Sequence, residues 1–214
     1  MRPVTDPCFD AKAFVAAGYD RCAKDYASAR GTEAPSYLSR LTRRIPSGAK
    51  VLDVGCGCGH PIATSLSRCF QVTGVDISLE QIKLAKAAVP NGTFIHGDAT
   101  KLAFESGSFN AAVMLYALFH IPREEQPSFL EKLRSWLVDG GFLLASLAQH
   151  SEPGYTEDGF FGTSMYWSNF SKNESVDALR RAGFSLVWEG STGHGYSDRN
   201  LEPEQHPLVL VEAS

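Results

Sequence analysis

Val51-Leu52-Asp53-Val54-Gly55-Cys56-Gly57-Cys58-Gly59 runs a short apolar strand straight into three glycines on one alternation. The next acidic strand end is Asp76, closing Gln71-Val72-Thr73-Gly74-Val75-Asp76, 21 positions after Gly55. This is the layout of a βαβ nucleotide-binding unit. Glycines let the backbone approach a ligand, the following helix presents its N-terminus, and the acidic residue takes a ribose hydroxyl.

The glycine spacing narrows the ligand. A dinucleotide site wants G-x-G-x-x-G, with the pyrophosphate over the helix N-terminus. Here the third glycine comes one residue early. No G-x-x-x-x-G-K-[ST] is present, so no lysine is set to hold phosphates. A nicotinamide oxidoreductase is therefore the weaker reading. The run Asp53 to Gly59, with the acidic strand end Asp76 and with Gly97-Asp98-Ala99 further on, resembles the class I S-adenosylmethionine-dependent methyltransferases.

Composition bounds the rest. The 214 residues suit one domain, residues 1–214, with a small elaboration. Hydrophobic residues are 43% and charged residues 21%, ordinary for a globular core. A net charge of −4, with Lys and Arg never running beyond adjacent pairs, argues against nucleic acid as a partner. No apolar stretch reaches the roughly 20 residues that cross a bilayer, and Met1 to Asp10 lacks the apolar segment of a signal peptide. Neither a membrane partner nor export is expected. Five irregularly spaced cysteines read as reduced thiols in the cytoplasm. Cys56 and Cys58 fit a tight loop as small residues, and no metal site is expected.

Along the chain, residues 1–46 read as an N-terminal helical cap. Phe9 to Arg30 is an amphipathic helix or helix pair with Gly18 as its break, and Glu33 to Arg44 a second helical stretch. Strands are expected at Lys50–Val54, Gln71–Asp76, Thr93–His96, Phe109–Leu115, Phe142–Leu147, Phe184–Trp188 and Pro207–Glu212. Helices are expected at Pro61–Cys69, from the Ser78 cap to Ala88 with Gln81 completing a capping box, and at Arg123–Val138 up to a glycine cap at Gly140-Gly141. A last helix, capped by Ser171 or Asn173, ends at Gly183. The alternation implies an α/β, Rossmann-like, doubly wound and mostly parallel sheet with helices on both faces. The resemblance adds a seventh strand inserted antiparallel. Residues 148–172 lack periodicity and carry Tyr155, Phe160, Phe161, Met165, Tyr166, Trp167 and Phe170. So long an irregular segment reads as an aromatic lid loop at the ligand-binding edge, or as a flap that seals the core.

The resemblance implies S-adenosyl-L-methionine as cofactor and assigns roles by position. Gly55, Gly57 and Gly59 let the backbone meet its amino-acid end. Asp53 orients the loop or meets the ammonium, and Asp76 accepts both ribose hydroxyls. Ile77 covers an adenine face, Asp98 accepts from the adenine amino group, and Ala99 donates a backbone N–H. Leu115 and Tyr116 wall the cofactor. Tyr19 and Tyr26, seven apart on one helix face, resemble cap-helix tyrosines that close over cofactor and acceptor. Plainer roles stay open: a helix N-terminal charge for Asp76, a turn for Asp98, core packing for the tyrosines.

Methyl transfer needs an acceptor atom held in line, and a base where that atom must lose a proton. His120, after the fourth strand and before Pro122, is the catalytic candidate, since imidazole titrates near neutral pH; orienting the loop is its other reading. His150, Phe161, Met165, Tyr166 and Trp167 are the candidates for the acceptor site. The expected activity is methylation of an O, N or S atom of a small molecule, aromatic or apolar. The alternative is a cofactor-binding relative that steers a rearrangement without methylation or regulates a partner.

Overall fold

The computed structural model describes residues 1–195 and 205–214. In chain order the elements are β1 (Arg2–Pro3), α1 (Ala11–Ala29), α2 (Ser39–Thr42), β2 (Lys50–Val54), α3 (Ile62–Leu66), β3 (Gln71–Asp76), α4 (Leu79–Ala88), β4 (Thr93–His96), β5 (Phe109–Met114), α5 (Gln126–Trp136), β6 (Leu137–Ser146), β7 (Glu152–Phe160), β8 (Thr163–Asn169), α6 (Lys172–Arg181), β9 (Phe184–Thr192) and β10 (His206–Ala213). No helix among the described residues is long and apolar enough to cross a membrane.

Seven strands form one sheet in the order β4-β3-β2-β5-β6-β10-β9. β2 through β6 pair in parallel, while β10 runs antiparallel between β6 and β9. The sheet is Rossmann-like and buried on both faces, which is why its central strands are apolar without alternation. One face packs on α5 and α6 through Phe129, Leu133, Trp136 and Leu179. The other packs on α2, α3 and α4 through Leu41, Leu66, Ile82 and Ala85. Successive strands leave β2 in opposite directions, so a crevice opens at the carboxyl ends of β2 and β5, where ligands bind in open α/β sheets.

Several expectations change. Gly18 does not break a helix: α1 is continuous across it. The glycine is there for packing, because a Cβ would lie 2.9 Å from Met165 Cε and 3.2 Å from the Ser164 carbonyl oxygen. Gly18→Val should therefore destabilise the fold by about 1–3 kcal/mol, the usual result of overpacking, despite valine's better helix propensity. Equilibrium denaturant unfolding checks this, and an unchanged midpoint would refute the close packing. The stretch expected as one helix over Glu33 to Arg44 is a 3-10 turn at Ser36–Leu38 running into the short α2.

The helix expected at Arg123–Val138 ends at Trp136 and passes directly into β6. Gly140-Gly141 is not a helix cap. It serves a register shift, where a Cβ on Gly141 would sit 2.8 Å from the Val138 carbonyl oxygen and 3.0 Å from that of Asn110. The helix expected over Pro61–Cys69 is only Ile62–Leu66.

The largest change is in the lid. Residues 148–172 are not an irregular loop: β7 and β8 form an antiparallel hairpin, and β1 adds to β7 as a third strand. Phe161 (φ 47°) and Gly162 (φ 78°) make its two-residue turn, both in the left-handed region that primed hairpin turns use. The hairpin packs on α1 through Ala11, Val15, Met165 and Tyr166. At the next helix, Ser171 rather than Asn173 is the cap, in a capping box with Glu174.

Candidate active site

The loop after β2 sets the site's floor. Gly55 takes φ 71°, and a Cβ there would lie 2.5 Å from the Cβ of Ala117, so only glycine fits between the two loops. Gly57 (φ 53°) turns its N–H onto Asp76 Oδ2 at 2.8 Å. Asp76 Oδ1 accepts from the Ser78 N–H at 2.9 Å. The Asp76 carboxylate is thus held by two backbone donors, and each oxygen keeps lone-pair capacity for a ligand.

A first cavity fills the crevice. Among the residues expected to hold the cofactor, it is lined by Tyr19, Tyr26, Gly55, Gly57, Asp76, Ile77, Asp98, Ala99, Leu115 and Tyr116, and His120 joins them. Gly59 and Asp53 are not on its wall. A Cβ on Gly59 would lie 3.3 Å from the Ala85 Cα, so that glycine seats the loop on α4. Asp53 is buried beneath the loop, and its Oδ2 has no hydrogen-bond partner among the described residues.

Electrostatics mark the same place. Burial, with Asp76 nearby, pushes the Asp53 carboxyl up to about 7. Burial raises Asp76 to about 6, against the two backbone N–H bonds that pull it down. Two desolvated carboxyls side by side call for a cation. Arg30, at the end of α1, partly answers. It lies over the rings of Tyr116 (5.3 Å) and Tyr26 (5.7 Å), lines the cavity, and leaves one terminal nitrogen without a hydrogen bond among the described residues. Gln81, on the first turn of α4, also lines the cavity, and both its amide atoms are buried without partners. Ser78 accepts from the Gln81 N–H at 3.1 Å, but the Gln81 side chain does not return the bond that would complete a capping box. The sequence does not mark Arg30 or Gln81 as ligand contacts. Nothing local marks Arg30, and capping spacing explained Gln81 fully.

These features fit S-adenosylmethionine. Its ribose hydroxyls match the spare acceptor capacity of Asp76, its ammonium the carboxylate-rich floor, and its carboxylate the open nitrogen of Arg30.

The cap helix is fastened over this cavity at two points. Lys12 Nζ bonds Asp98 Oδ2 (3.1 Å), Thr100 Oγ1 (2.6 Å) and the Glu125 carboxylate. Burial alone would raise the Asp98 carboxyl, but bonds from Thr100 and Lys12 outweigh it and hold it below its ordinary value. Asp20 accepts from Ser78 Oγ (2.6 Å) and the Glu80 N–H (3.1 Å), capping α4 from outside.

A second cavity of about 280 Å³ adjoins the first. Tyr19, Tyr26 and Tyr116 wall both. Phe161 and Trp167 line it as expected for an acceptor site, together with Phe119, Tyr155, Phe160 and Glu157. Three expected acceptor residues are elsewhere. Met165 is fully buried and Tyr166 nearly so: alternation on β8 turns Tyr166 to the face opposite Trp167, while Met165, on Trp167's face, is covered by α1 at Gly18. His150 is exposed ahead of β7, with its carbonyl accepting from Asn169 Nδ2 at 2.9 Å.

At the junction, His120 Nδ1 lies 2.8 Å from the Tyr166 carbonyl oxygen, and Nε2 lies 2.9 Å from Tyr19 Oη. A carbonyl only accepts, so Nδ1 carries the proton, and Nε2 accepts from the Tyr19 hydroxyl. Burial lowers His120 to about 4, so the ring is neutral at pH 7. Tyr116 holds φ 59°, a strained value for a tyrosine, and donates its hydroxyl to the Gly193 carbonyl at 2.5 Å.

The chain is similar in sequence and fold to known methyltransferases. Residues 51–141 match the family model described as a methyltransferase domain. An uncharacterized methyltransferase from Synechocystis is 30% identical over 149 residues, covering 67% of this chain and 70% of that protein. Another from Oceanobacillus iheyensis is 23% identical over 160 residues, 75% of this chain but only 63% of the relative's length. Among solved structures, the Burkholderia thailandensis 1,6-didemethyltoxoflavin-N1-methyltransferase, with bound 1,6-didemethyltoxoflavin and S-adenosylhomocysteine, superposes with a TM-score of 0.72 at 20% identity, covering 99% of this chain and 94% of that one.

Proposed function

The chain belongs to the class I S-adenosylmethionine-dependent methyltransferases, and we propose that it transfers a methyl group from S-adenosylmethionine to a small-molecule acceptor in the adjoining aromatic chamber. The observation that carries this is Asp76, fixed by the Gly57 and Ser78 N–H groups at the edge of a cavity floored by glycines. When bound, the cofactor supplies a methyl on a positively charged sulfur that leaves with the bonding pair.

The chain's residues bind and orient. Asp76 takes the ribose hydroxyls, Arg30 the amino-acid carboxylate, and the Asp53 carboxylate beneath the loop favours the ammonium. Ile77 and Ala99 line the adenine end, where Asp98 accepts from the amino group with its position set by Lys12. Leu115 and Tyr116 wall the cofactor on the β5 side, and Tyr26 with the hairpin excludes water. Tyr19, which faces both cavities, meets the acceptor; His120 acts through it. As the acceptor loses its proton, Tyr19 Oη receives it and passes its own proton to His120 Nε2, while the Tyr166 carbonyl steadies the ring through Nδ1–H. The free cysteines suit a reducing, cytoplasmic setting.

Incubation with methyl-labelled cofactor and a panel of hydroxylated and N–H aromatics tests the reading. Release of S-adenosylhomocysteine with a labelled acceptor is expected. Tight dinucleotide binding without sulfonium binding would overturn it.

Two further results follow from the site. Gln81→Met conserves volume and removes two buried polar atoms without partners, so the empty protein should melt higher, while affinity for S-adenosylhomocysteine falls several-fold. Scanning calorimetry and titration calorimetry read the two halves, and a tighter ligand would refute a contact. The pH effect has a definite sign. Asp76 titrates near 6 in the free protein, and only the ionised carboxylate can accept from both ribose hydroxyls, since protonation turns one oxygen into a donor. Affinity for S-adenosylhomocysteine should be level well above that pH and weaken by up to about tenfold per unit below it. In Asp76→Asn that slope should flatten.

A further inference from the structure

Resting on the methyl-transfer reading, the hydrogen-bond polarity at the junction of the two cavities selects the acceptor. The chain of bonds runs one way: the Tyr166 carbonyl accepts from His120 Nδ1–H, so His120 Nε2 accepts from Tyr19 Oη–H. Tyr19 Oη has then spent its only proton and offers lone pairs alone to whatever sits beside it. A group that only accepts hydrogen bonds, such as an ether, a carbonyl or a carboxylate oxygen, would face an acceptor there and leave a desolvated pair unpaid.

The chamber adds shape and charge. Phe160 and Trp167 stand with ring centroids 5.6 Å apart at 78°, and Tyr19 lies edge-on to Phe160 at 5.6 Å and 82°. A cavity of about 280 Å³ walled by rings has room for a molecule of two or three fused rings and offers it aromatic faces and edges to pack against. Glu157 and Asp158 are the charged side chains among its described lining, and no Lys or Arg joins them. Asp158 is paired with Arg2, so an anionic acceptor would meet the Glu157 carboxylate with no Lys or Arg in the described lining to offset it.

We propose that this chamber takes a flat, non-anionic aromatic acceptor whose reactive atom is a hydrogen-bond donor, a phenolic O–H or an aryl or ring N–H, seated against Tyr19 Oη. On transfer the new bond joins that atom to the methyl carbon, the carbon–sulfur bond breaks with its electrons going to sulfur, and the proton leaves through Tyr19 to His120.

Three probes on one ring frame separate the elements of the proposal: 2-naphthol, 2-methoxynaphthalene, which lacks the donor, and 6-hydroxy-2-naphthoate, which keeps it but adds charge. Titration calorimetry on protein saturated with S-adenosylhomocysteine should give 2-naphthol about tenfold tighter binding than either of the others, the value of one net hydrogen bond or one unpaired charge. In Tyr19→Phe the preference for 2-naphthol over 2-methoxynaphthalene should shrink to less than about twofold, while the penalty on the naphthoate stays. Equal binding of the ether, tighter binding of the naphthoate, no measurable binding of any of the three, or undiminished discrimination in Tyr19→Phe each overturns the proposal. If S-adenosylhomocysteine itself fails to bind, the cofactor reading fails, and the same three-probe ratios on the unliganded protein still decide the acceptor class.

Discussion

Tyr19→Phe is expected to slow methyl transfer to an O–H or N–H acceptor by about 10²-fold or more, the usual contribution of a positioned proton-transfer group. The phenyl ring keeps the edge contacts to Tyr26, His120 and Phe160, so the walls of both cavities persist. What disappears is the hydroxyl bonded to His120 Nε2. The loss should fall on kcat, with S-adenosylhomocysteine affinity changed no more than about threefold. His120→Ala should produce a loss of similar size, because Tyr19 then has no base behind it. The double variant should be little worse than either single one, since residues acting as a unit are strongly non-additive. Wild-type kcat at saturating cofactor should hold steady from neutral pH down and fail only as His120 becomes protonated, near 4. A near-normal rate in either single variant would reduce the pair to a structural brace.

Asp76→Ala should weaken cofactor binding by about 1–3 kcal/mol, roughly 5- to 150-fold, read as the dissociation constant of S-adenosylhomocysteine. The substitution removes the acceptor for the ribose and also strands the Gly57 and Ser78 N–H groups that the carboxylate holds. Two arms separate those effects. Hydrogen exchange at Gly57 and Ser78 reports the loosened loop. The Asp53 carboxyl, raised partly by Asp76, should titrate lower once its neighbour is gone. Unchanged affinity would show that the ribose lies elsewhere.

Much of this was legible in the sequence, and the reasons are physical. The central strands read correctly because burial on both faces makes them continuously apolar, and Ser78 read as a cap because its side chain meets the Gln81 N–H locally. The first glycines and Asp76 read as a pair because strand, turn and spacing encode them together. The hairpin did not read. Ser151 to Phe160 mixes a proline, two glycines and three acids, and its Phe161-Gly162 turn lacks the Asn-Gly or Asp-Gly signal of a two-residue turn. Gly18 misled because local propensity calls it a breaker, whereas its cause is Met165, 147 positions away. The same holds for Met165 and Tyr166 as acceptor candidates. Aromatic and sulfur-bearing side chains suggest a binding surface, but only the pairing register decides which face they take. Arg30 and Lys12 act across the tertiary structure, through Tyr116 and Asp98, and no local pattern announces such contacts.

The shared tyrosine partition has a consequence for how ligands must be sought. Because Tyr19, Tyr26 and Tyr116 belong to both chambers, filling one fixes walls of the other. By reciprocity, whatever factor the donor molecule lends to the second site, an occupant of that site returns to the first. Inhibitor screens run on empty protein will therefore under-report compounds aimed at the aromatic side, and spent donor will dwell longest when such a compound is present.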